Sequence, residues 1–432
     1  MFSKLKKYLL QLSLFLLPIQ TVYIVQDGFL NGQKWQYGTI VFYLTEIILW
    51  IVIMFFVIDF FILFKHKEIK AKKTWDKEKI FSISFLLFLL YLFFNTFFVA
   101  NNFEIAYQLT RWWMLGFLFF IILSSGFLQI KSILWPLVLS SILPSILGIW
   151  QFLTQQTFAS KLLGLSFYSA DISGVSVVAS EQVGRWLRSY GTFVHPNIFG
   201  AYLVLVIIAV FFLWQKIDNQ KQKIFLYVLL FLQTMSLFFT FSRTAWITWL
   251  LFIIFVSVYY IFKKKKILWP VIFSSVFFII LFNIFFTLVQ NRIQSNSSYE
   301  VKSISERLVG YREALNIWEE HRYLGVGAGN YTLASYELNK NRVGSSYQPV
   351  HNIYLLFFVE YGIVGFALFV FVLINFVIYW LSVKKVDQIF FWLILAIIFS
   401  TLGLFDHYLL SSYLGFLFLS IFFALIYRLS TD

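Results

Sequence analysis

Residues 350–380 read VHNIYLLFFVEYGIVGFALFVFVLINFVIYW. From Asn352 to Trp380 the run holds one charged residue, Glu360. At about 1.5 Å per residue, a helix of about 20 apolar residues crosses a bilayer, and this run is long enough by itself. Two polar residues in it need a reason: His351 at its mouth, and Glu360 nine residues further on. Runs of the same kind recur at about 8–25, 39–64, 80–100, 112–127, 132–153, 197–214, 224–241, 244–262, 267–290, 389–405 and 408–427. The expectation is an all-α polytopic membrane protein, one transmembrane domain over residues 1–432 with about 12 transmembrane helices. Composition agrees. The chain is 60% hydrophobic, 22% aromatic and only 12% charged, against about a quarter charged in soluble domains. The ten-residue alternating segments of a transmembrane β-barrel are absent.

The 432 residues contain no cysteine, which excludes disulfides, thiolate nucleophiles and cysteine metal sites. The amino-terminal MFSKLKK has no small-residue cleavage site after it and reads as the flank of a retained first helix. The net charge of +14 calls for no nucleic acid partner, because lysine and arginine collect in the short cytoplasmic loops of membrane proteins. With both termini cytoplasmic, 21 of the 34 lysines and arginines fall inside. The split by type is sharper: nine of the ten arginines, all but Arg428, fall outside. Topology asks for no such sorting. Arginine offers a planar fork of donors matched to phosphate oxygens and stays charged at any ordinary pH.

Two extracytoplasmic loops are large, 154–196 and 291–350. In the second, Ile304, Leu308, Tyr311, Leu315 and Trp318 recur at helical spacing. They predict an amphipathic surface helix over about 304–322, stopped by Gly325, Gly327 and Gly329. Arg307 and Arg312 flank that stripe, either snorkelling to headgroups or pointing into a pocket beneath. The glycines of GVGAG follow no strand and make no nucleotide fingerprint.

Four stretches share one depth at the outer boundary: RWLRSYGTFVHPN with Arg188, His195 and Asn197; TFSRTAWI with Arg243; the surface helix; and VHNIYLLFFVEYG. Asn197 and Asn352 read as helix caps. His407, in FDHY, reads as a turn residue, and lysine-flanked His66 as cytoplasmic. The histidines look scattered, with no metal-ligand spacing, and no GxSxG turn appears. Glu360, at a depth where a bare carboxylate is costly, is expected to pair with Arg243 or Arg188. Glu46 poses the same question.

Together these stretches resemble the O-antigen ligase and O-antigen polymerase superfamily of bacterial membrane glycosyltransferases, through RSYGTFVHPN, FSRTA, YREALNIWEEHRYLGVGAGNY and VHNIYLLFFVEYGIVG, over residues 185–365. The resemblance implies a GT-C-like helical enzyme of the bacterial cytoplasmic (inner) membrane, its active site facing outward, working without nucleotide sugar, metal or other cofactor. Its donor would be a glycan on undecaprenyl diphosphate. Its acceptor would be a hydroxyl of a glycan, lipid or other surface molecule, and the anomeric carbon would invert. Carried over by motif, His351 is the base, and Arg188, Arg243 and Arg312, with Arg307, are diphosphate ligands. Glu360, His195, Asn197 and Asn352 support them. A ligase is favoured, with a repeat-unit polymerase and a protein O-glycan transferase as alternatives within the superfamily. A lipid-linked sugar transporter is the alternative from another class, although no internal repeat is present.

Overall fold

The computed structural model of the chain describes residues 2–65, 77–180, 184–263, 269–294, 298–383 and 386–429. His66 and most of the lysine-rich segments 65–79 and 263–266 lie outside them. The helices are α1 Phe2–Phe15, α2 Leu44–Lys65, α3 Lys77–Phe94, α4 Phe103–Ser124, α5 Ile130–Ser140, α6 Ile142–Thr154, α7 Pro196–Gln215, α8 Gln220–Phe239 and α9 Arg243–Phe262. They continue with α10 Trp269–Ile284, α11 Phe286–Gln294, α12 Ser298–Glu320, α13 Tyr331–Leu338, α14 Ile353–Val383, α15 Val386–Phe405, α16 Tyr408–Ser411 and α17 Tyr413–Leu429. Among the described residues, eight helical stretches are long and apolar enough to cross a membrane, or nine if the bent pair α10–α11 is one span. Two shorter apolar helices, Ala396–Phe405 and Tyr413–Arg428, add to these.

The helices differ from the expected spans in several places. The first, expected over 8–25, is a 14-residue helix ending at Phe15. Pro18 and the β-branched Thr21, Val22, Ile24 and Val25 follow, and 22–26 is a strand. The fourth starts at Phe103 rather than 112, under an Asn102 cap that accepts from the Ile105 N–H at 3.0 Å. Its Arg111 is buried against Glu46, Nε to Oε1 2.6 Å. That pair answers the question posed by Glu46: two buried charges are tolerable when they meet. The apolar run 267–290 bends by 89° between α10 and α11.

The chain is mostly helical but not all-α. Its loops carry three antiparallel two-stranded sheets: β1 Val22–Gln26 with β4 Ile40–Tyr43, β2 Phe29–Leu30 with β3 Gln33–Lys34, and β5 Val177–Ser180 with β6 Gly184–Leu187. Between the sheets, the apolar core is continuous through the bundle, and α7 is buried along nearly its whole length against α5, α8 and α9.

The long run that opened the sequence reading is a broken helix. Gly362 takes φ 63°, ψ −172° in the middle of α14, which frees backbone groups that apolar surroundings cannot satisfy. The segment after α12 supplies the partners. Val326 and Gly327 N–H donate to the Val359 and Glu360 carbonyls at 2.9 and 3.1 Å. Ile363 and Val364 N–H donate to the Arg322 and Tyr323 carbonyls at 2.8 and 3.1 Å. The positive φ of Gly325 and Gly327 lets the chain turn that closely.

Candidate functional site: a histidine–aspartate pair beside an arginine cluster

The site begins at the carboxyl end of α8. Helix ends leave carbonyls unsatisfied and carry partial negative charge, and here arginines take them. Arg188 Nε donates to the Thr240 carbonyl at 2.7 Å, and Arg292 Nε to the Phe241 carbonyl at 3.0 Å. Phe241 holds a left-handed φ of 45°, and this tight turn delivers Arg243 at the start of α9. Arg243 Nη1 lies 3.5 Å from the Arg292 carbonyl. The loop bearing Arg188 is clamped from α6: Gln151 Oε1 accepts from Tyr190 N and Gly191 N at 3.0 and 2.8 Å. Arg307, on the packed side of α12, is near enough for its charge to act on Arg188, Arg292 and His407. Burial, with Arg243 and Arg307 close by, holds the Arg188 guanidinium down at about 10, so it is still charged at neutral pH. Four guanidinium groups gathered in this way make a cationic cluster suited to a polyanion.

From Arg188 a hydrogen-bonded chain leads to His351. Arg188 Nη2 donates to Asn197 Oδ1 at 2.7 Å, and Asn197 Nδ2 donates to Asp406 Oδ2 at 2.8 Å. Asp406 Oδ1 accepts from the His407 backbone N–H at 2.9 Å and faces His351 Nδ1 at 3.4 Å. The His351 contact is longer than a formed hydrogen bond, and Nδ1 is buried with no other partner. Burial alone would raise the Asp406 carboxyl. The close approach of His351 and of the neighbouring histidines outweighs that and holds it well below the usual carboxylate range, so it is ionised.

The three histidines around Asp406 differ in what they have left to offer. His195 caps α7: Nδ1 accepts from Asn197 N at 3.1 Å and Nε2 meets Ser176 Oγ at 3.0 Å, so both nitrogens are used. His407 Nδ1 meets Ser411 Oγ at 2.6 Å and Nε2 meets the Tyr37 hydroxyl at 3.5 Å. Burial keeps both rings neutral, each held down at about 3. His351 is partly exposed, and with Nδ1 turned to the carboxylate its Nε2 is the nitrogen left to accept a proton. Asn352 Oδ1 caps α14, accepting from Tyr354 and Leu355 N–H at 2.9 and 3.0 Å.

Several expectations are corrected here. The histidines are not scattered: ligand atoms of His351, Asp406 and His407 lie within 4.8 Å of one another. That set could take a divalent cation, which would displace the Tyr37 hydroxyl and the His351–Asp406 contact. His407 is more than a turn residue. Glu360 does not meet an arginine. Its buried carboxylate accepts from the Gly329 and Tyr331 backbone N–H at the start of α13, a helix end that attracts negative charge. The surface helix starts earlier than expected and packs through Ala314 and Ile317. Ile304, Leu308 and Leu315 of the anticipated stripe face away from the protein, the side a membrane surface would meet. Arg307 and Arg312 therefore part: Arg307 sits on the packed flank, whereas Arg312 is exposed, roughly 140° around the helix from it. Asp406, His407 and Arg292 escaped the sequence reading of the site. Asp406 and His407 have no telling spacing to His351, and Arg292 sits in no quoted motif.

A mostly helical, membrane-spanning bundle with a buried histidine–carboxylate pair beside clustered arginines is the class that fold and site define. Residues 226–370 match the family model described as O-Antigen ligase, in agreement with the superfamily that the motifs resemble. The family indicates a membrane protein of glycosyltransferase type in polysaccharide biosynthesis. No curated protein matches the chain. The match spans Arg243, Arg307 and His351 and leaves Arg188, Asn197 and Asp406 outside it.

Proposed function

We propose that this chain transfers a glycan from undecaprenyl diphosphate to an acceptor hydroxyl at the outer face of the bacterial cytoplasmic membrane, in the manner of an O-antigen ligase. The donor diphosphate lies against Arg188, Arg243, Arg292 and Arg307. As the bond from the anomeric carbon to the phosphate oxygen breaks, its electron pair passes to the diphosphate, where guanidinium charge is already in place. The acceptor oxygen attacks from the opposite face, inverting the carbon, and its proton passes to His351 Nε2. Asp406 holds the ring and stabilises the imidazolium that forms. The observation that carries this reading is the continuous link from Arg188 through Asn197 and Asp406 to His351. It couples an anion-binding group to a base within one rigid array.

The test is reaction of the purified protein with an undecaprenyl-diphosphate oligosaccharide and candidate acceptors, read by mass. Transfer to a different acceptor is the expected product, while a ladder growing on the carrier means a polymerase. His351→Ala should lower the rate by about 10²–10⁴ with the protein still folded. Undiminished turnover in that variant would refute the assignment, and transport of the lipid-linked sugar without transfer would favour a flippase.

A further inference from the structure

The first long loop, residues 27–39, has no part in the reading above, yet it is built into the site. Asn31 Nδ2 donates to the Lys340 and Arg342 carbonyls at 2.5 and 2.7 Å, and Tyr336 OH donates to Asn31 Oδ1 at 3.2 Å. Trp35, Ile105 and Tyr347 form a separate buried cluster that joins the loop to α4 and to the large loop before His351. Tyr37 packs on that cluster and is only partly buried. Its hydroxyl lies 3.5 Å from His407 Nε2, the two rings edge to face with centroids 5.7 Å apart. The His407 ring in turn lies 5.0 Å from that of His351.

His407 has a nearer partner than Tyr37: its Nδ1 meets Ser411 Oγ at 2.6 Å, and that hydroxyl also lies 3.1 Å from the His407 carbonyl. At 3.5 Å the Tyr37 hydroxyl is beyond the usual reach of a hydrogen bond to His407 Nε2. The phenol oxygen keeps its own lone pairs, and the ring keeps an apolar face. Asp406 separates the two sides: Arg188 reaches its Oδ2 through Asn197, whereas His351 and His407 face its Oδ1, and Tyr37 lies beyond His407. Tyr37 is thus beside the histidines, across the carboxylate from Arg188.

Resting on the transferase reading, we infer that Tyr37 forms the acceptor side of the site: its oxygen accepts a hydrogen bond from a sugar hydroxyl neighbouring the one that reacts, and its ring packs on the C–H face of that sugar. A polar lone pair beside an aromatic face is the pairing a sugar ring, with hydroxyl edges and apolar faces, would use.

The experiment uses the full-length protein in nanodiscs. Donor is undecaprenyl-diphosphate oligosaccharide, and the glycolipid fraction of the host membrane is titrated as acceptor. A separate arm measures the Kd of undecaprenyl diphosphate alone. Tyr37→Phe keeps the ring in its cluster and should hold its Tm. It should raise the acceptor KM about three- to tenfold, as loss of one neutral hydrogen bond does, with kcat and the undecaprenyl diphosphate Kd unchanged. Tyr37→Ala should raise the acceptor KM further. A fall in kcat at constant acceptor KM would make Tyr37 a prop for His407 and overturn the inference. A weakened undecaprenyl diphosphate Kd would assign it to the donor and overturn it too. Wild-type protein that binds undecaprenyl diphosphate but transfers nothing would instead refute the transferase reading itself, and this inference with it.

Discussion

Asp406→Asn changes one atom of a fully committed carboxylate. Its oxygens receive the His407 N–H, the Asn197 amide and the His351 ring. The chain has fixed polarity because it ends in Arg188, which can only donate. If the new amide turns its oxygen to His351 and His407, its nitrogen faces the Asn197 nitrogen. Flipping Asn197 to relieve that contact turns its nitrogen toward Arg188. Every arrangement leaves two donors face to face, and the base also loses its counter-charge. At 3.4 Å and an effective dielectric near 20, a carboxylate stabilises imidazolium by about 5 kcal/mol. A transition state with the proton half transferred feels about half of this, or roughly 10²-fold in rate. Steady-state transfer from an undecaprenyl-diphosphate glycan should show kcat lower by about that factor, with the Kd of undecaprenyl diphosphate little changed. A folded variant within about threefold of wild type would refute the argument that Asp406 supports the base.

Two further predictions follow from the same geometry. Arg307→Ala should weaken undecaprenyl diphosphate binding and slow transfer by about 10²-fold if it acts on developing charge, whereas exposed Arg312→Ala should stay within about threefold; direct binding of the carrier lipid separates them. His195 and His407 are held at about 3, below the ordinary 6.5, because burial disfavours their charge. Their stabilising contribution is present above pH 6.5 and is lost as pH falls from there toward 3, because the unfolded chain binds protons that the native state refuses. Between pH 7 and 5 each should cost at most about 2 kcal/mol. Tm in detergent should therefore drop over this range, less steeply in His407→Asn.

The membrane character was legible because spanning a bilayer demands apolar length, which composition cannot hide. The meeting of Arg188, Arg243 and Arg307 was legible for a related reason: guanidinium groups have few reasons to gather. What could not be read was pairing over distance. His351 and Asp406 are separated by two helices, α14 and α15, and share no period, so nothing local joins them. On α12 the packed face is marked by Ala314, a small residue that hydrophobic periodicity overlooks. The louder stripe of Ile304, Leu308 and Leu315 is exposed. Glu360 failed for another reason: its partners are backbone N–H groups of Gly329 and Tyr331, and no inventory of side chains contains them.

The break at Gly362 also sets an order of events during synthesis. Segment 322–327 makes four of its backbone hydrogen bonds with residues 359–364, so the large loop cannot reach its final form until the helix after it has emerged. His351 then waits again, because Asp406 and His407 come last of all. A chain still on the ribosome and not yet extended to residue 406 would hold every arginine of the cluster while still lacking the carboxylate that faces His351.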